Sequence, residues 1–547
     1  MSKYLLFLVC AAFIVTGSTV ATAQNLTIPE ALFSRAEKTN YAETSLNADV
    51  VAFCETLDRA SDLATMKKFG TSGDGNDLLM VIIARPAVST PEEAAATGKP
   101  VIYIQGNIHA GEVEGKEASL RLMREICFGP RQDLIENQIL VFCPNYNPDG
   151  NDKLSATSRP SQDGSPLMAG IRTSGEGFDL NREGIKAEAR EMKALLSEII
   201  VKWDPVLLID LHTDNGSWHG YALNYAAPYL SAGMPQITSY VEDSILAPVT
   251  SKILERSGLP FFYYGNMRSR PGDPVTFSTY SHLPRYIVNY MGLRNRMSIL
   301  SETFAHDRFE KRTLSTYLFL VSILEHTSEN GAEMVRLINE AETETIKLIS
   351  ENNGTLTRGV SFTMAASPEK INLLTRETES YTDDNGRTRS RATGRLHWIS
   401  DVTHMNHFEP RVVANVPFGY YFPAELGDVA DKLKEHGIQV SNISRREKIE
   451  ADLFTVSKFS RSARPSYGNH YTVTVDGSFS RKTVNVPAGS YFVDMRQPLA
   501  WLIFYMLEPQ SDDGLLLWNY FDNYLMGKGA ETKPVEYPVY KLMQPIK

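Results

Sequence analysis

The 547-residue sequence predicts an α/β fold, a doubly wound mixed and largely parallel sheet, followed by a smaller β-rich α+β region. Three observations carry this expectation. Short apolar runs at Leu78–Ile83, Val101–Gln105, Gln138–Phe142, Val206–Leu211 and Met297–Ser301 have the length and composition of buried strands. Helix-like stretches alternate with them, the pattern of a parallel sheet covered on both faces. Beyond a long polar-faced helix expected at Asn330–Ser350, the composition shifts to short alternating or clustered apolar segments.

In chain order, residues 43–60 and 112–127 carry helical patterns on either side of the first two strands. Ser89–Lys99 combines Pro, Thr, Glu and a run of alanines and reads as an exposed loop. The strand Gln138–Phe142 runs into Pro144-Asn145-Tyr146-Asn147-Pro148-Asp149-Gly150. Residues 151–178 are Gly/Ser-rich and aperiodic, and an unstructured stretch of that length inside a compact domain is usually functional or mobile. Helices are expected at Ile185–Val201, at Pro235–Ser257 with the proline in the first turn, and at Arg312–His326. Further on, Gly359–Ala366, Arg395–Ser400, His470–Val475 and Ser490–Met495 read as strands, and Asp428–His436 as a helix stopped by Gly437. Leu499–Leu507 reads as a buried helix, too short to span a membrane. The expected organisation is a targeting segment at 1–23, an α/β domain at 24–335 and a C-terminal region at 336–547 made of one or two small domains.

Lys3, the apolar stretch Tyr4–Val15 and the small residues Ala21-Thr22-Ala23 have the form of a cleaved secretory signal. The mature chain is expected to start near Gln24, to be periplasmic or extracellular, and to carry no membrane anchor. Cys10 follows Val9, where a lipoprotein signal wants a small residue. The remaining Cys54, Cys127 and Cys143 are too few for a disulfide scaffold; a Cys127–Cys143 bridge and three buried thiols both stay open. A net charge of −10 without a long basic tract argues against a nucleic-acid partner.

The most informative stretch is Gly106-Asn107-Ile108-His109-Ala110-Gly111-Glu112, which leaves the strand Val101–Gln105 and enters a helix. An imidazole and a carboxylate three residues apart at a strand end can converge on one metal ion. His212, in Asp210-Leu211-His212-Thr213-Asp214, leaves a second strand into a polar loop. Two histidines and one carboxylate leave a tetrahedral zinc one open position for water. Ligating imidazoles need an acceptor on the other nitrogen, for which Asp179, Asp210 and Asp214 are the candidates. In a doubly wound sheet such groups gather at the carboxyl ends of the strands, where His109 and His212 both fall. His-x-x-Glu alone is weak evidence: His109 as a packed histidine and Glu112 as a first-turn helix acid explain it equally well.

The ordered set His109-Ala110-Gly111-Glu112, Asn147-Pro148-Asp149-Gly150, Gly177-Phe178-Asp179-Leu180-Asn181-Arg182, Asp210-Leu211-His212 and Ser301-Glu302-Thr303 resembles the zinc carboxypeptidase superfamily over about residues 35–330. The resemblance implies one zinc per chain held by His109, Glu112 and His212, with Asp179 accepting a hydrogen bond from His109. It implies Glu302 as the catalytic glutamate and Asn181 with Arg182 as the grip on a peptide's free terminal carboxylate. Arg172 is the choice for the carbonyl-polarising arginine, with Arg159 as its rival. Tyr280 suits the substrate-binding tyrosine best by spacing, in competition with Tyr286 and Tyr290. Arg294 and Arg296 reach either the substrate or a local carboxylate.

The C-terminal part resembles that of bacterial members with long extensions, through Gln497-Pro498-Leu499, Leu507-Glu508-Pro509, Ser511-Asp512-Asp513-Gly514 and Trp518-Asn519. A structural or gating role is expected for it. The implied reaction is hydrolysis of C-terminal peptide bonds. Two alternatives stay open: a zinc amidase or endopeptidase acting on cell-wall peptides, and an inactive peptide-binding protein.

Overall fold

A computed structural model describes residues 28–544 apart from 163–165, 230–232, 269–273 and 384–385. The expected signal at 1–23 lies outside the described residues. Among the described residues, ten strands precede residue 304: β1 (Ala64–Thr71), β2 (Asp77–Ile83), β3 (Val101–Gly106), β4 (Ile139–Cys143), β5 (Leu207–Thr213), β6 (Leu223–Ala226), β7 (Phe261–Tyr263), β8 (Asn266–Arg268), β9 (Thr276–Ser278) and β10 (Met297–Thr303). All but β8 and β9 form one eight-stranded sheet in the order β1-β2-β4-β3-β5-β10-β6-β7. β4, β3, β5 and β10 run parallel; β1 is antiparallel to β2, β2 to β4 and β6 to β10, and β7 runs parallel to β6. The sheet is therefore mixed with a parallel centre, as the sequence predicts. Every residue of β3, β4 and β5 is buried, which is why these strands read as continuous apolar runs.

Chain order reverses between β3 and β5. From β3 the chain passes to β4 on one side, then returns to β5 on the other. Such a switch point opens a crevice at the carboxyl ends of the strands. Gly106 of β3 lies beside Leu211 of β5, and His212 lies beside Glu302 of β10. The candidate residues from three strands thus come to one edge of the sheet.

Some elements differ from expectation. Ser89–Lys99 holds a helix, Pro91–Thr97, whose first turn is capped by the Thr90 hydroxyl accepting from the Glu93 amide at 3.2 Å. Thr-Pro-Glu-Glu is an N-terminal helix signature, so the signal was present. The helix expected from Ile185 begins at Arg190 and passes into a π-helical turn at Leu195–Ile200. Before it, the Glu183 carboxylate takes the amides of Glu188 and Ala189 and closes a tight turn. The two helices expected at Arg312–His326 and Asn330–Ser350 are one, Phe309–Ser350, about 63 Å long at 1.5 Å per residue. The boundary expected at 335 falls inside it. Cys54, Cys127 and Cys143 are free and buried.

The C-terminal strands are β11 (Thr357–Ala365), β12 (Lys370–Thr382), β13 (Thr388–Met405), β14 (His407–Asn415), β15 (Gly419–Phe422), β16 (Ser441–Asn442), β17 (Glu447–Arg461), β18 (Val473–Val486), β19 (Tyr491–Asp494) and β20 (Val535–Leu542). Strands β15 to β20 make a six-stranded sheet, β11 pairs with β14, and β12 and β13 join β9 and β8. One apolar core runs without a break from the eight-stranded sheet into this region. The buried helix Ala500–Leu507 is the link: Trp501 donates its indole N–H to Thr345 on the long helix at 3.0 Å. Among the described residues no helix is long and apolar enough to cross a membrane.

Candidate metal centre

At the end of β3 the backbone has little room. A Cβ added to Gly106 would lie 2.9 Å from the Pro144 carbonyl oxygen, and Asn107 turns the chain with φ at 66°. The turn that follows places Glu112 just before the helix Glu114–Phe128, with the Glu112 amide donating to the His109 carbonyl at 2.9 Å. This brings His109 and Glu112 over the sheet edge opposite His212.

His109 Nδ1 lies 3.0 Å from Glu112 Oε1, and His212 Nδ1 lies 2.8 Å from Glu112 Oε2. One ligand atom from each of the three residues falls within 4.8 Å of the others, and all three side chains are buried. The outer nitrogens are held as well. His109 Nε2 is 3.1 Å from Asp179 Oδ1, and His212 Nε2 is 2.8 Å from Asp210 Oδ2. Both inner nitrogens therefore face the centre, with a carboxylate behind each ring placed to accept the outer N–H, the arrangement that fixes the tautomer of a metal-ligating imidazole. Asp214 is directed elsewhere, to His219 at 2.7 Å.

The charges around this point call for a cation. Burial pushes the His212 imidazole toward neutrality, yet Asp210 and Glu112 outweigh it and hold its pKa well above the ordinary value. Burial likewise opposes ionisation of Glu112 and of Asp179. Arg159 and the histidines hold Glu112 well below the usual carboxylate range, and His109, Arg182 and Arg172 do so for Asp179. A borderline-soft divalent ion accepts this imidazole and carboxylate donor set, so the residues present fit zinc.

A cleft of about 330 Å³ opens over the centre, lined among others by Arg159, Arg172, Asn181, Arg182, Tyr280, Tyr286 and Glu302. Burial drives the Glu302 carboxyl well above the usual range, with Glu112 and Asp214 pushing the same way and His212 and Arg159 opposing. Both rival arginines reach the cleft from the 151–178 segment. Arg159 Nη1 is 2.9 Å from Glu112 Oε1; Arg172 Nη1 is 3.7 Å from the same oxygen while its Nε donates to Asp179 Oδ2 at 2.9 Å. Asn181 Oδ1 accepts from the Ile287 amide at 3.1 Å, which leaves its NH2 group 3.4 Å from His212 Nε2. Arg182 donates from Nη1 to the Asn181 carbonyl at 2.7 Å.

Of the three competing tyrosines, Tyr280 and Tyr286 line the cleft. Tyr290 is turned away, bonded to His436 Nδ1 at 2.6 Å. Arg294 donates to the His436 carbonyl at 2.7 Å, and Arg296 pairs with Asp204 and Glu342, so neither faces the cleft. Sequence reasoning missed Tyr264, Val288 and Leu300, which also line it. Leu300 had a legible signal: it lies two residues before Glu302 on β10 and so shares its face.

Residues 50–231 match the zinc carboxypeptidase family, peptidase M14. The chain is 23% identical to Carboxypeptidase 2 of Trichophyton rubrum over 444 residues, covering 78% of this chain and 75% of that protein. It is 32% identical to human Carboxypeptidase D over 127 residues, covering 22% of this chain and 8% of that one. Among solved structures, a metallo-carboxypeptidase from Burkholderia cenocepacia aligns with a TM-score of 0.39 at 16% identity, covering 52% of this chain and 69% of the other.

Proposed function

We propose that this chain, which carries a zinc carboxypeptidase domain through residues 50–231, hydrolyses the C-terminal bond of peptides with one zinc ion bound at His109, Glu112 and His212. The observation that carries the reading is one cleft joining a metal-type triad, a buried carboxyl and an Asn–Arg pair. A bound zinc supplies Lewis-acid polarisation and a more acidic water.

The remaining chemistry belongs to side chains. Glu302, whose carboxyl burial holds above its usual range, takes a proton from the attacking water and delivers it to the leaving nitrogen. General acid–base transfer of this kind is worth about 10² to 10⁴ in rate. Arg159 and Arg172 present guanidinium groups beside Glu112, where preorganised positive charge stabilises an oxyanion more than a flat carbonyl. Arg182 offers a planar fork to the terminal carboxylate, and the NH2 group of Asn181 adds a further donor. That grip sets the last peptide bond over the metal site and disfavours bonds with no free carboxylate beside them.

An exported chain acting on peptides outside the cytoplasm fits the secretory form of its first residues.

A panel of peptides with free and amidated C-termini, assayed with zinc and after chelation, tests the reading. Turnover confined to free carboxylates and lost on chelation is expected. Equal turnover of amidated peptides would point to an amidase or endopeptidase instead. Glu302→Gln should keep zinc and lose about 10² to 10⁴ in kcat; near-normal turnover would remove Glu302 from the base role.

A further inference from the structure

The segment that puts Tyr280 and Tyr286 into the cleft is held from the C-terminal region. Asp513 is fully buried and accepts from the Arg285 amide at 2.7 Å, from Arg285 Nε at 3.0 Å and from the Trp518 indole at 3.1 Å. Its neighbour Asp512 accepts from the Phe362 amide at 2.9 Å and from the Tyr505 hydroxyl, and lies 3.3 Å from His282 Nε2. The paired aspartates that the sequence set apart therefore take both basic side chains of the 280–286 segment.

The same region reaches the carboxylate grip itself. Tyr467 brings its ring to 5.2 Å from the Arg182 guanidinium carbon, and Tyr286 lies at 4.2 Å from it. The Tyr467 turn is fixed by the Ser466 amide donating to the His470 carbonyl at 2.7 Å. His470 Nε2 meets Glu188 Oε2 at 2.8 Å, and His470 Nδ1 meets Asn519 Oδ1 at 2.8 Å. Tyr467 is 38% exposed, so it is not there to fill a core.

A guanidinium on a flexible stem must be oriented before it can bind a carboxylate through two bonds. A carboxylate partner would orient it but would consume the donors that the substrate needs. An aromatic face orients it through its ring quadrupole and leaves the N–H groups free. Arg182 has two such rings and spends one N–H on the Asn181 carbonyl.

We propose that Tyr467 is a positioning residue for substrate recognition: its ring, delivered by the C-terminal region, holds the Arg182 guanidinium in register for the substrate's terminal carboxylate. This rests on the reading of Arg182 given above. The C-terminal region is then part of the specificity apparatus, and the 462–472 loop is the piece of it that acts on Arg182.

Steady-state kinetics on the full-length zinc-loaded enzyme test this with Tyr467→Ala, Tyr467→Phe and Arg182→Ala, using a peptide with a free C-terminus. Loss of one aromatic–guanidinium contact predicts a rise in KM of about 3- to 30-fold for Tyr467→Ala, with kcat close to that of the parent. Tyr467→Phe keeps the ring and restores KM. An unchanged KM in Tyr467→Ala, while Arg182→Ala raises it, overturns the proposal and leaves the role of Arg182 standing. An unchanged KM in Arg182→Ala overturns the underlying reading. Failure of Tyr467→Phe to rescue assigns the effect to the hydroxyl, and a fall in kcat and thermal stability together assigns it to folding; either result overturns the proposal.

Discussion

Asp210→Asn isolates the charge behind one proposed zinc ligand. Asp210 is fully buried at the centre of β5, lies 2.8 Å from His212 Nε2 and accepts from Gln105 Nε2 at 3.2 Å. Asparagine keeps the shape and can keep an oxygen toward the imidazole, so the packing survives and the negative charge does not. A carboxylate in this place raises the basicity of the ligand, and such partners typically account for about 10- to 100-fold in metal affinity. The expected loss is about 1.4 to 2.7 kcal/mol of zinc binding, since each tenfold change is close to 1.4 kcal/mol. Competition against a fluorescent chelator of known affinity measures it, with circular dichroism to confirm folding. Asp179→Asn should weaken zinc and also disturb Arg172, whose Nε rests on Asp179 at 2.9 Å, so its kinetic effect should exceed its effect on affinity. A folded Asp210→Asn variant binding zinc as tightly as the parent would refute the account of His212 as a ligand oriented by Asp210.

Two further predictions concern stability. Gly115→Ala would put a Cβ 2.5 Å from the Leu211 Cβ, forcing the helix Glu114–Phe128 off β5; overpacking of this kind costs about 1 to 3 kcal/mol, read as a lowered thermal midpoint. A midpoint equal to the parent's would show that the helix can shift freely. His470 is a pH-dependent tie: burial works against its cation, but Glu188 and Asn519 outweigh it and raise its pKa above 6.5, with Lys186 opposing. A raised histidine stabilises fully below its unfolded value and loses that contribution as pH rises through the folded value. His470→Gln should therefore lower the thermal midpoint more in mildly acidic than in alkaline solution, and a deficit that grows with pH would contradict the sign.

The parallel centre of the sheet was legible because burial on both faces forces continuous apolar runs, as in Val101-Ile102-Tyr103-Ile104. His109, Glu112 and His212 were visible for a related reason: each follows such a run into a polar turn. The long helix was misread because Thr327-Ser328-Glu329-Asn330-Gly331 looks like a break. Gly331 is there for another purpose, since a Cβ on it would lie 2.6 Å from Pro100. Its helix continues on either side because both halves pack into the same core. Tyr467 had no local signal at all. Its place beside Arg182 is set by how two distant parts of the chain pack, and no periodicity around residue 467 encodes that.

The charge around the cleft bears on which substrate it suits. Four carboxylates, from Glu112, Asp179, Asp210 and Glu302, surround the centre together with three guanidinium groups, from Arg159, Arg172 and Arg182. Charge buried in a cleft is costly unless it is paired. On the proposed reading, a peptide ending in a free carboxylate brings its negative charge to Arg182, whose buried Nε has no hydrogen-bond partner among the described residues. An amidated end leaves the guanidinium desolvated and unpaired, a penalty that falls on binding before any chemistry begins. The proposed preference for a free C-terminus is thus expressed at Arg182, and the panel of free and amidated peptides reads it there.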